Sequence, residues 1–316
     1  MNHPAAIELD SLTRRYHTPR GEVVALDDVS LTVTPGQIVA VLGENGAGKT
    51  TLAKILSTLL HPSAGAARVF GHDVVTDARR ARALTTAVFG GDRGLYPMLS
   101  GRENLRYFGV VHGVASRELR RQMPRLLEEA GLTEAANRRV ETYSKGMRQR
   151  LHLCIGLLTR PRVLLLDEPT VGLDPKESAR LRETIAEFPS EGTTVLLTSH
   201  NLLDVERLAE RVVMLSSGRI SHDLPLDEFR RLAGHDAVVK LRLPAGARLT
   251  PELEALGADI QTGGDGTVIT LSIRRWSPAV LGEISAALRG QNILDLDVRP
   301  ATLDEAFANA AEGRWR

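Results

Sequence analysis

The feature that most narrows what this chain can fold into is a short run: Ile38-Val39-Ala40-Val41-Leu42, continuously apolar, followed at once by Gly43-Glu44-Asn45-Gly46-Ala47-Gly48-Lys49-Thr50. The apolar five fit a central strand covered on both faces. The eight that follow match the phosphate-binding pattern of glycine, four residues, then Gly-Lys-Thr. Glycines there let successive backbone N–H groups curl around phosphate oxygens, and the helix that follows aims its positive end at them. Lys49 is expected to reach the β- and γ-phosphates, and the Thr50 hydroxyl to ligate Mg²⁺.

A second run agrees with the first. Val163-Leu164-Leu165-Leu166 is an apolar strand ending in Asp167-Glu168. Two carboxylates at the mouth of a buried strand are costly without a cation, and Mg²⁺ on a triphosphate supplies one. Asp167 is expected to hold the metal. Glu168 is expected to face the γ-phosphate and polarise the attacking water. A helix N-cap acid is the plainer alternative for either carboxylate alone.

Helical and extended segments alternate from the phosphate loop to about residue 220, the mark of an α/β sheet, after a β-rich opening with strands at Ile7–Leu9, Val23–Leu26 and Val29–Val33. After about Ala233 the order becomes β-α-β-β-α-β: Val238–Leu243, Pro251–Leu256, Ile260, Val268–Ile273, Pro278–Arg289, Ile293–Val298, with a closing helix Leu303–Ala311. We therefore expect a P-loop α/β domain over residues 1–232 and a small α+β, ferredoxin-like domain over 233–316.

Composition excludes several classes. The chain has 316 residues, 42% hydrophobic, enough to bury a core. No stretch approaches the ~20 apolar residues of a spanning helix. Met1-Asn2-His3-Pro4 shows no basic segment leading into an apolar one, so a cytoplasmic chain is expected. Forty Lys+Arg against 39 Asp+Glu give a net charge of +1 and no general attraction for nucleic acid, so no nucleic-acid partner is expected. The arginine pairs, such as Arg120-Arg121 and Arg230-Arg231, read as solvated helix faces. Cys154 is the one cysteine; its apolar helical setting reads as a buried, inert thiol.

Beyond the two runs, the sequence resembles the nucleotide-binding subunits of ATP-binding cassette (ABC) transporters, within them the drug and antibiotic exporter ATPases carrying an extra C-terminal domain. Tyr143-Ser144-Lys145-Gly146-Met147 stands where that family has its signature, keeping Ser144 and Gly146 and departing at Lys145 and Met147 from Leu-Ser-Gly-Gly-Gln. Gly172-Leu173-Asp174 is similar to the loop after the two acids, and His200 to the switch histidine. Tyr16 resembles the aromatic that stacks on adenine, an exposed strand-end tyrosine being the alternative. Ser144 is also a good N-cap in its own right. Ala301-Thr302-Leu303-Asp304-Glu305-Ala306-Phe307 resembles the closing helix of the exporter subgroup. In Val88–Pro97, Gly91 takes the place of the family's glutamine, leaving Asp92, water, or coupling through Tyr96 as replacements.

The resemblance implies ATP and Mg²⁺ as ligands, with Gly43, Asn45, Gly46, Ala47, Gly48, Lys49, Thr50 and Thr51 around the phosphates and Glu168, His200 and Lys49 in catalysis. It implies a dimer, with a second copy or a paralogue, in which the loop of one subunit faces Ser144 and Gly146 of the other and Asp174 lies nearby. It implies separately encoded transmembrane permease subunits, with the ATPase held on the cytoplasmic face of the membrane. A soluble mechanochemical or regulatory ATPase of the same fold is the chief alternative, weakened by the absence of long coiled-coil heptads and of a second cassette. A kinase or GTPase would leave the signature segment unexplained.

Overall fold

The computed structural model describes residues 4–19, 21–89, 94–244, 258–263 and 266–311. They form two compact units, residues 1–224 and 225–316. The division falls ahead of the 232/233 boundary expected from sequence, because the helix Leu226–Arg231 packs with the helix Leu303–Ala311 inside the second unit.

In the first unit a six-stranded sheet has the order β10-β9-β3-β8-β7-β6, built from β3 (Ile38–Leu42), β6 (Thr85–Phe89), β7 (Val163–Asp167), β8 (Thr194–Thr198), β9 (Arg211–Ser216) and β10 (Arg219–Pro225). Strands β9, β3, β8, β7 and β6 run parallel. Every residue of β3, β7 and β8 is buried, which is why their sequences are apolar apart from Asp167 at the end of β7 and the threonines at the ends of β8. Parallel strands all present their C-terminal ends on one side, and loops there are where ligands bind in open α/β sheets.

A second, antiparallel sheet, β2-β1-β4-β5, holds β1 (Ile7–Thr18), β2 (Gly21–Val33), β4 (Ala64–Val69) and β5 (His72–Asp73). The opening differs from expectation. The two segments Val23–Leu26 and Val29–Val33 belong to one strand, and β1 extends nine residues past Leu9, because register shifts around Ser11 and Asp28 reset the alternation. Both residues take positive φ, 47° and 55°, as extra residues in a bulge do. Helix α1 (Lys49–Leu56) packs its buried Leu52, Ile55 and Leu56 into the core shared by the two sheets.

Helices α3 (Gly101–Val111), α4 (Ser116–Glu129) and α5 (Lys145–Leu157) have a separate apolar core that includes Leu105, Leu127, Leu132 and Leu151. Ser100 and Glu103 form a reciprocal capping box at the start of α3, worth about 1 kcal/mol. Asn104, fully buried, donates to the carbonyls of Tyr96, Leu99 and Ser100 and accepts from the Tyr96 N–H at 2.9 Å. That one amide therefore fixes the loop entering the helical subdomain. Gly91 and Asp92 lie outside the described residues.

The second unit contains a four-stranded antiparallel sheet, β12-β13-β11-β14, from β11 (Ala237–Leu243), β12 (Ala258–Gly263), β13 (Gly266–Ile273) and β14 (Asp295–Pro300). In chain order this is fourth, first, third, second, the arrangement of a ferredoxin-like sheet. The helix Pro278–Ala287 covers it, with Ile284 and Ala287 packed on Val239, Leu241 and Ile269. The short helix expected at Pro251–Leu256 lies outside the described residues.

Candidate functional site

The loop between β3 and α1 is held open by its own backbone. Gly48, the N-cap of α1, has φ +107°, and a β-carbon there would lie 2.3 Å from the Ala25 carbonyl oxygen. No other residue fits that turn without moving the strand behind it. Gly43, Ala47 and Lys49 are buried, whereas Glu44, Asn45, Gly46 and Thr50 face solvent and Thr51 is half-buried.

Lys49 is folded back. Its Nζ donates to the carbonyl of Gly43 at 2.5 Å and of Glu44 at 3.1 Å. Both partners are neutral, so a full positive charge with little solvent around it stands at the mouth of the loop. A phosphate supplies the counter-charge such a group lacks.

The start of α1 and the ends of two strands converge beside it. The Thr50 hydroxyl donates to Asp167 at 2.9 and 3.3 Å, and the Thr198 hydroxyl at the end of β8 donates to the same carboxylate. Asp167 is buried. A carboxylate with an adjacent hydroxyl is a donor set for a hard divalent cation. Among the described residues no cluster of three or more His, Cys, Asp or Glu could hold a metal alone, which suits Mg²⁺ bound through one carboxylate, a hydroxyl and the substrate's phosphates.

Glu168 has φ +53° and its N–H is taken by the Thr198 carbonyl at 3.0 Å. A non-glycine residue in that region costs on the order of 1–2 kcal/mol. The strained turn brings Glu168 Oε2 to 2.8 Å from Nδ1 of His200 and 3.3 Å from the His200 backbone N–H. The expected catalytic acid and switch histidine therefore touch, although 32 residues separate them.

The tip of α5 forms a neighbouring set. Ser144 is exposed and caps the helix by accepting from the Met147 N–H at 3.1 Å. Gly146 is packed so closely that a β-carbon there would lie 2.6 Å from Glu177 Oε2 and 2.9 Å from Glu177 Cβ. Glu177 pairs at 2.8 Å with Arg150, itself almost fully buried. Asp174 caps helix α6 (Pro175–Ala186), accepting from the Glu177 N–H at 2.9 Å. Tyr16 lies on β1, half-buried, with the Arg14 guanidinium over one face of its ring at 4.6 Å.

Sequence reasoning passed over several residues. Thr198 shares Asp167 with Thr50 and went unremarked as a polar strand end. Asp204 is fully buried in helix α7 (Leu202–Leu208), where it accepts from Thr170, Arg182 and Ser199 and so ties the segment after Glu168 to the segment before His200. A lone aspartate in an amphipathic helix carries no sequence signal for such a tie. Cys154 is buried, as expected, and burial pushes its thiol up to about 12.

Residues 26–171 match the family model described as ABC transporter. The daunorubicin resistance ATP-binding protein DrrA3 of Streptomyces coeruleorubidus is 38% identical over 308 residues, covering 96% of this chain and 94% of that protein. The ABC transporter ATP-binding protein NatA of Bacillus subtilis is 39% identical, over 68% of this chain and 87% of its own length. Among solved structures, the ATP-binding subunit of an ABC transporter superposes with a TM-score of 0.63 at 31% identity, over 72% of this chain and 92% of that one. A dimeric ATP-binding cassette in a post-hydrolysis state bound to ADP and Pi gives 0.63 at 25% identity, over 70% and 98%.

Proposed function

The chain belongs to the ABC transporter family as an ATP-binding, ATP-hydrolysing subunit, and from that premise we propose that it powers export of a drug-like or hydrophobic compound through a separate permease. The observation that carries the reading is the convergence of Thr50, Asp167, Glu168 and His200 beside Lys49, whose Nζ is held on two carbonyls of the phosphate loop. Relatives that span nearly the whole chain bear names of daunorubicin and doxorubicin resistance, which supports the drug-like class of cargo. The same relatives support the exporter over a soluble switch.

The geometry supports the following roles. Lys49 binds the β- and γ-phosphates, and Thr50 with Asp167 holds Mg²⁺. When bound, the metal neutralises charge on the phosphate oxygens. Glu168 orients the water that attacks the γ-phosphorus, the bridging oxygen leaving with ADP, and His200 holds the Glu168 carboxylate in place. Tyr16 offers its ring to adenine. Ser144 and Gly146 meet the nucleotide of a second subunit, so two copies, or a copy and a paralogue, enclose two ATP molecules. No helix among the described residues is long and apolar enough to cross a membrane. Helix α3, which exposes Tyr107, Val110 and Val111 with Tyr96 packed edge-on to Tyr107 at 4.7 Å, offers an apolar surface for docking the permease at the cytoplasmic face.

Glu168→Gln tests the site. Turnover is expected to fall by about 10²-fold or more, with ATP still bound and the chain trapped as a dimer in size-exclusion chromatography with ATP. Near-normal hydrolysis would remove Glu168 from the reaction.

A further inference from the structure

Strand β14 is the outer strand of the second unit's sheet, bonded on one side to β11 and, among the described residues, to no strand on the other. Natural edge strands are blunted against further pairing by charge or irregularity. This one is not. Leu296 and Val298 stand opposite Leu241 and Val239 in the ladder, so they point to the same face as those two fully buried core residues. Yet Leu296 is 47% and Val298 40% exposed. Among the described residues, the apolar face thus runs beyond the part of the sheet that the helix covers and ends at an edge with no further strand. Leu294, just before the strand, is 52% exposed as well.

The sequence of the edge says what fits it. Read antiparallel against itself about Asp297, the strand places Leu296 opposite Val298, Asp295 opposite Arg299, and Leu294 opposite Pro300. Apolar meets apolar and acid meets base. Only Asp297 meets its like, at the two-fold axis, and each copy brings Lys240 directly alongside it from β11. Arg299 already pairs with Glu305 at 2.8 Å, but a guanidinium has five donors and accommodates a second carboxylate. Self-complementarity about a two-fold axis is what an isologous interface requires, and a foreign strand would have no reason to match this register. Pro300 lacks an N–H and is tolerated at an edge.

We infer that β14 pairs antiparallel with β14 of a second copy of this chain, centred on Asp297, joining the two four-stranded sheets into one without nucleotide. The inference rests on the proposed ATP-bound dimer only for its purpose: copies held together through β14 keep their ATP half-sites at high effective concentration. The pairing itself is independent of ATP.

Asp297→Cys provides the test in the full-length chain. Facing residues of an antiparallel pair have α-carbons about 4.5–5.5 Å apart, within disulfide reach. The native Cys154 is buried with its thiol raised to about 12, so it stays silent. Under mild oxidation without nucleotide, D297C is expected to give a covalent dimer on a non-reducing gel. Lys240→Cys, one strand further in and therefore about 14 Å from its counterpart, should not. The double variant L296K/V298K is expected to weaken nucleotide-free self-association at least tenfold in sedimentation velocity. Glu168→Gln placed in that background should still dimerise with ATP, and failure there counts against the ATP sandwich alone. A D297C chain that cross-links no faster than K240C, or a nucleotide-free chain whose association L296K/V298K leaves unchanged, overturns the edge pairing.

Discussion

Gly146→Ala separates two explanations of the glycine in the signature-like segment, one of nucleotide approach and one of packing. At an ordinary helical position the change stabilises, by about 1 kcal/mol. Here the added carbon would lie 2.6 Å from Glu177 Oε2, 2.8 Å from its Cγ and 2.9 Å from its Cβ. The last contact is decisive, because Cβ cannot swing away without α6 moving. Overpacking of this kind costs about 1–3 kcal/mol. Displacing Glu177 also weakens its ion pair with Arg150, which has side-chain exposure of only 4%; complete loss of such a buried pair costs about 3–5 kcal/mol. With partial loss, and the helix gain subtracted, G146A is expected to destabilise the nucleotide-free chain by about 2–4 kcal/mol. Urea denaturation followed by far-ultraviolet circular dichroism measures it. In a Glu177→Ala background the obstruction is gone, and the same substitution should turn neutral or stabilising. If G146A raises the midpoint in the wild-type background, or if its effect is identical with and without Glu177, the packing argument is wrong.

Two further outcomes follow from single contacts. Lys49→Ala removes an ammonium that the described loop holds on two carbonyls, so ATP affinity is expected to drop by about tenfold or more in fluorescence titration with a labelled nucleotide; unchanged affinity would contradict the phosphate-loop assignment. In the second unit, burial opposes ionisation of Glu305, but the Arg299 guanidinium and the Thr302 N–H and hydroxyl more than offset it and hold the carboxyl at about 2, well below the ordinary glutamate range. A depressed carboxyl contributes stability above its unfolded value that is lost as pH falls through the folded one. Glu305→Gln should therefore lower the melting temperature near neutral pH, with the gap to wild type closing from about pH 5 to about pH 2. Trp276 belongs to this unit, so tryptophan fluorescence is the probe; a gap that widens on acidification would refute the assignment.

What the sequence made legible was what is local. The phosphate loop and the two acids each lie within a few residues of a fully buried strand, so spacing and hydropathy alone placed them. Their assembly is not local. β3 lies next to β8, and β8 next to β7, so Thr198 meets Asp167 only through strand order. The same holds for Asp204, whose partners Thr170, Ser199 and Arg182 come from three segments. The β-rich opening misled for a different reason: a bulge at Asp28 interrupts the period of two within one continuous strand, and alternation then reads as two strands. Asn104 gave no signal because its donors and acceptors all turn back onto its own loop.

Lys145, which stands where the commonest signature has a glycine, finds its physical account in a second glycine. A β-carbon built on Gly172 would lie 2.1 Å from Lys145 Nζ and 3.2 Å from its Cε, so the lysine side chain fills the space that Gly172 leaves empty. Gly172 also has φ +72°, a conformation other residues rarely adopt. The two positions are thus matched: a larger residue at 145 is admitted because the residue at 172 has no side chain. The consequence reaches past packing. Gly172 belongs to the turn between Glu168 and the Asp174 cap of α6, and Lys145 to the tip of α5 beside Ser144. The Lys145 side chain lodged between them packs the signature-like tip against the loop after the acids. Both are surfaces that the proposed dimer sets against a second subunit, so Lys145 is the contact that joins them within one subunit.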